Sequence, residues 1–69
     1  MKKQLKEAVK AGIRVRDIKL SGGRLIQLSS MYGVSYVYFN EIDSLSTTKF
    51  KIETLQANIQ SHINNIQNA

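Results

Sequence analysis

Between Ile13 and Asn40 apolar and polar residues largely alternate with a period of two, in three runs separated by Ser21-Gly22-Gly23 and Met31-Tyr32-Gly33. A period of two sends successive side chains to opposite faces of an extended chain. Three such runs joined by glycine-bearing turns predict a three-stranded antiparallel meander over residues 13–40. A three-residue Ser21-Gly22-Gly23 loop, with Gly23 left-handed, pairs Leu20 with Arg24, Ile18 with Ile26 and Asp17 with Gln27. An even-length loop around Tyr32-Gly33 pairs Ile26 with Phe39, Leu28 with Val37, Gln27 with Tyr38 and Ser29 with Tyr36. Ile18, Leu20, Ile26, Leu28, Val37 and Phe39 then share one face. Ile13 and Val15 have the opposite parity to Ile18 and Leu20. Either a bulge near Arg16-Asp17 reunites the four, or the strand begins later.

Both flanks of this sheet read as helix. Residues 2–11 are good helix formers with Leu5, Ala8 and Val9 at helical spacing, and Gly12 suits the left-handed position that ends a helix. Ten residues are marginal alone, so this helix over 1–12 must dock. Residues 41–47 are an acidic, hydroxyl-rich connection, and Ile52, Leu55, Ile59, Ile63 and Ile66 form one apolar stripe of a helix over 48–66, capped by Thr47 or Thr48. A competing reading takes the alternation Lys49-Phe50-Lys51-Ile52-Glu53-Thr54 as a fourth strand. The expected fold is α+β: one domain over 1–69, with the C-terminal amphipathic helix packed on one face of the sheet and a polar face opposite.

Motifs for catalysis are missing. Of the five acids only Glu41 and Asp43 are close in sequence, with no His or Lys beside them. The single His62 sits beside Ile63 on the last helix and reads as a boundary residue, and Ser44, Ser46, Thr47 and Thr48 have no base at a recognisable spacing. Gly22-Gly23 precedes a strand, so it is a turn and not a phosphate-binding loop. With no Cys and no metal motif, no catalytic residue, metal ligand or cofactor site is expected. No apolar run approaches the roughly 20 residues of a membrane span, and Met1-Lys2-Lys3 is not followed by the apolar core of a signal peptide. The expectation is a cytoplasmic, non-enzymatic protein without membrane contact.

Charge points to the partner. Residues 1–24 hold eight of the ten Lys and Arg but two of the five acids, a local +6 within a net charge of +5. A polyanion is the natural partner for such a front half. Arg14, Arg16, Lys19 and Arg24 are the expected phosphate contacts, Tyr36 and Tyr38 the stacking rings, and Gln27 a reader of base edges, while Lys2, Lys3 and Lys6 add nonspecific attraction. In the other reading of Tyr36 and Tyr38, the first helix covers both as a second small core. In element order alone, a three-stranded sheet followed by a helix over roughly residues 13–66, the chain resembles the arm-type DNA-binding domains of tyrosine integrases. That resemblance implies use of the sheet on DNA.

The leading expectation is thus a small basic accessory protein that binds DNA or RNA. The rival is a protein-binding module, such as a phage-type inhibitor of a host protein or nucleic-acid enzyme, docking through the same Arg/Tyr face. After Glu53 the last helix has no charged residue, and its polar side is Gln56, Asn58, Gln60, Asn64, Asn65, Gln67 and Asn68. Solvent-facing helices usually carry Lys and Glu pairs, so this neutral face suggests a protein partner or a homodimer.

Overall fold

The computed structural model describes residues 1–69. The order is α1 (Lys2–Lys10), β1 (Arg14–Leu20), β2 (Gly23–Ser30), β3 (Gly33–Asn40) and α2 (Leu45–Gln67). The sheet is an antiparallel meander, β1-β2-β3, as the alternation predicts. Both helices lie on one of its faces, around a core of Ala8, Ile13, Ile26, Leu28, Val37, Phe39, Leu55 and Ile59.

Gly12 ends α1 in the expected way, with φ +94°. Its N–H donates to the Val9 carbonyl (3.1 Å) and the Ile13 N–H to the Ala8 carbonyl (3.0 Å). This 6→1 and 5→2 pair of bonds closes the helix and turns the chain straight into β1. Ile13 is buried by that reversal. The short helix docks through Ala8, with Met1 and Leu5 packed against the same core.

The first turn differs from expectation. Gly22, not Gly23, has positive φ (+83°), so the loop is two residues long and Leu20 faces Gly23. Val15 then pairs with Leu28, Asp17 with Ile26, Ile18 with Leu25 and Lys19 with Arg24. A slip of one residue reverses every side chain of the strand. Ile13 and Val15 therefore join the core without a bulge, while Ile18 and Leu20 move to the opposite face. The β2–β3 register is also shifted, by two: Ile26 pairs with Val37, Leu28 with Ser35 and Gln27 with Tyr36. An even shift preserves parity, so the inward faces of β2 and β3 are as predicted.

The segment 49–54 is helix and not a fourth strand. The connection is shorter than 41–47, because Ser44 is the N-cap and its Oγ accepts the Thr47 N–H at 3.1 Å. Thr47 is the capped residue and not the cap. Leu55 and Ile59 are fully inside, with Ile52, Ile63 and Ile66 around them. At 23 residues, α2 is about 35 Å long, against about 27 Å for an eight-residue strand. Leu45 and Phe50, in its first two turns, are exposed. No helix is long and apolar enough to cross a membrane.

His62 is not a boundary residue. It is buried at 7% exposure between α2 and the β2–β3 hairpin. Ser30 Oγ accepts the Tyr32 N–H (3.2 Å) and lies 2.8 Å from His62 Nδ1, while Nε2 approaches Ser35 Oγ at 3.5 Å. A ring protonated on Nε2, with the Ser30 hydroxyl donating to Nδ1, satisfies all three groups. His62 thus ties the helix to two strands where Ser30 and Ser35 interrupt the apolar face.

Candidate nucleic-acid interface

Every second residue of the sheet points away from the helices, and nothing covers that side. Reading across β1, β2 and β3, its rows are Arg14-Ser29-Val34, Arg16-Gln27-Tyr36, Ile18-Leu25-Tyr38 and Leu20-Gly23-Asn40. The first helix packs on the far side of the sheet, so it does not cover Tyr36 and Tyr38. Tyr36 is 58% exposed and Tyr38 36%. The open face therefore carries two cations on β1 and two rings on β3, with Arg16 facing Tyr36 across Gln27, Arg14 facing Val34 and Tyr38 facing Ile18 across Leu25.

The two rings differ in freedom. A Cβ at Gly23 would sit 2.5 Å from the Tyr38 hydroxyl oxygen and 2.8 Å from its Cζ, so the Tyr38 ring lies across the bare glycine backbone. Lys51 Nζ stands 5.8 Å from the same ring's centroid, an electrostatically favourable approach. Tyr38 is thereby held in place, whereas Tyr36 is open to solvent.

The sheet does not bring all the expected phosphate contacts together. Arg14, Arg16 and Gln27 stand on the open face with Tyr36 and Tyr38. Lys19 and Arg24 stand on the helix-bearing face, because they pair with each other and Arg24 with Phe39. Arg24 forms an ion pair with Asp17. Lys19 and Arg24 also line a cleft of about 440 Å³ with Leu20, Phe39, Asp43 and Thr48. Lys2, Lys3 and Lys6 belong to α1, again on the far side. Asn40, which faces outward by register, uses its side chain to accept the Ile42 N–H (3.1 Å), and its own N–H donates to Asp43 (3.0 Å).

No acid stands on the open face. Glu7 is in α1, Asp17 faces the helices, Glu41 and Asp43 lie in the β3–α2 connection and Glu53 is in α2. No three His, Asp or Glu side chains gather where they could hold a metal ion. No protein-family model, curated protein or solved structure matches this chain. The likeness to the integrase arm-binding domains accordingly goes no further than the order of elements.

The Asp17–Arg24 pair leaves a pH signature. The Arg24 hydrogen bond holds the Asp17 carboxyl below its ordinary value of 3.8; desolvation opposes this, and the charges of Arg24 and Lys19 add to it. A depressed folded-state pKa contributes stability that is present above the unfolded value and lost as pH falls through the folded one. Asp43 is lowered in the same direction by Lys51. The Asp17–Arg24 pair is exposed and contributes modestly, whereas the Asp43–Lys51 pair is part-buried. Thermal melts from about pH 5 down to about pH 3 should show the parent losing more of its melting temperature than Asp17→Asn. Equal losses would show that the pair contributes nothing.

Proposed function

We propose that this protein is a small, non-enzymatic, cytoplasmic nucleic-acid-binding accessory protein that works through the open face of its sheet. The observation that carries this reading is the grouping of Arg14, Arg16, Gln27, Tyr36 and Tyr38 on one uncovered face that has no carboxylate. Cations without local acids favour an anionic partner and repel a second copy of the same face. Phosphates would lie against Arg14 and Arg16, releasing counterions, while exposed rings offer flat apolar area to bases.

The lysines of α1 have a lesser part. The molecule is 18 Å through its thinnest dimension, and charges more than about 10 Å apart are largely screened at 0.1 M salt. Lys2, Lys3 and Lys6 therefore add steering at low salt and little affinity near physiological salt. Lys19 and Arg24 are outside the proposed footprint.

Fluorescence anisotropy with single- and double-stranded oligonucleotides tests the reading. Affinity for at least one of them should fall linearly on a log–log plot against salt. Arg14→Ala with Arg16→Ala should reduce that slope by about one to two units. No binding to any DNA or RNA probe at about 50 mM salt would overturn it in favour of a second reading, docking on a protein. One observation favours that second reading: Ile18, Leu20, Leu25 and Val34 share the face with the arginines, and apolar side chains around Tyr and Arg also make protein hot spots.

A further inference from the structure

We infer, building on the nucleic-acid reading, that the open face takes unpaired nucleic acid, with the sugar-phosphate backbone along β1 and the bases laid toward β3. The argument rests on where the register puts charge and flat apolar surface. Arg14 and Arg16 form one column and Tyr36 and Tyr38 the other, two strand spacings away. That separation is about 9.6 Å, comparable to the reach of one nucleotide from its phosphate to its base. Within each column the residues are two apart in sequence, about 6.6 Å along the strand. Stacked bases in a duplex are separated by about 3.4 Å, so adjacent rings at this spacing suit bases that have been spread out of a stack.

The chemistry of the columns points the same way. A ring can stack only on a base whose face is free, and paired bases hide their faces inside the duplex. The row between the Tyr36 row and the sheet's end, Ile18-Leu25-Tyr38, is apolar except for the Tyr38 hydroxyl. Groove edges of a duplex present donors and acceptors, which this row answers with the Tyr38 hydroxyl alone, whereas unstacked bases have apolar faces to cover. Asn40 is engaged with the Ile42 N–H, which leaves Gln27 as the one amide on the face open to bidentate pairing, so stacking dominates and discrimination among bases is weak. The free ring of Tyr36 makes the larger contact; Tyr38, held over Gly23, supplies a fixed platform next to it.

The test uses labelled oligothymidylate of about 12 nucleotides, its RNA counterpart, an abasic oligomer of the same length and a mixed-sequence duplex, all at one salt concentration. Both base-bearing single strands should bind at least tenfold more tightly than the abasic strand and the duplex. Tyr36→Ala should weaken oligothymidylate binding about tenfold and leave the abasic strand unaffected, while Tyr36→Phe, which keeps the ring, should bind like the parent. Because Tyr36 is exposed, a thermal melt of Tyr36→Ala should match the parent, so a loss of binding reads as a lost contact. Equal binding to duplex and single strand, or to abasic and base-bearing strands, would overturn this inference and leave the nucleic-acid reading standing. Failure of every probe would remove both. A preference for the RNA strand over the DNA strand, or the reverse, would support unpaired binding and name the source.

Discussion

Leu28→Ala should cost about 2–5 kcal/mol and leave much of the protein unfolded at room temperature. Leu28 is almost completely buried, at the centre of the sheet's inner face, beside Leu55 of α2 in the same core. Removing its branched end opens a void that a three-stranded sheet under a single long helix has few ways to close. A chain of this size rarely stores more than about 3–5 kcal/mol in one core, so the loss is comparable to the whole reserve. The control is Leu20→Ala. Leu20 pairs with Gly23 on the open face and is 48% exposed, so the same chemical change there should cost at most about 1 kcal/mol. Chemical denaturation of the two variants separates the registers. If Leu20→Ala is as damaging as Leu28→Ala, β1 has the opposite face inward and the face described as open is not.

That contrast marks where sequence reasoning reached its limit. The order of elements, the meander and the inward faces of β2 and β3 were legible, because strict alternation survives an even register error. β1 was not, since apolar residues of both parities occur in it and the outcome rested on which glycine took positive φ. Ser21-Gly22-Gly23 offers two candidates, and Gly23 in the left-handed position would reverse Asp17, Ile18, Lys19 and Leu20. The physical decision lies at the other end of the strand, where the closure of α1 at Gly12 buries Ile13 and commits Val15 to the helix side. Part of the site was legible for the same reason: Gln27, Tyr36 and Tyr38 follow from the parity of the two well-ordered strands. Arg14 and Arg16 reached the open face by a different route, through the two-residue turn and not through a bulge. Arg24 shares the parity of Ile26 and Leu28, so its place on the helix side was available from the alternation itself. His62 gave less warning, because its partners Ser30 and Ser35 are distant in sequence and look like ordinary strand-end serines.

Replacing Gly23 by Ala should destabilise the sheet by about 1–3 kcal/mol and dislodge the Tyr38 ring. Glycine is needed here for space: its φ is not positive, but an added Cβ would stand 2.3 Å from the Phe39 carbonyl oxygen, as well as against the Tyr38 phenol. A side chain can swing away from such an overlap at small cost; a carbonyl within a strand ladder moves only if the β2–β3 pairing moves with it. The two obstacles can be separated with a double-mutant cycle of Gly23→Ala and Tyr38→Ala. Tyr38→Ala alone removes a half-covered ring and should cost less than the glycine change. In the double variant the phenol is gone and the carbonyl remains, so the methyl group should still be destabilising, with only part of the loss recovered. Full recovery would show that the backbone leaves room after all and that the ring alone excludes a side chain at position 23. A Gly23→Ala variant that melts like the parent would show that Tyr38 does not rest on this glycine, and the fixed half of the ring platform would be lost from the description of the open face.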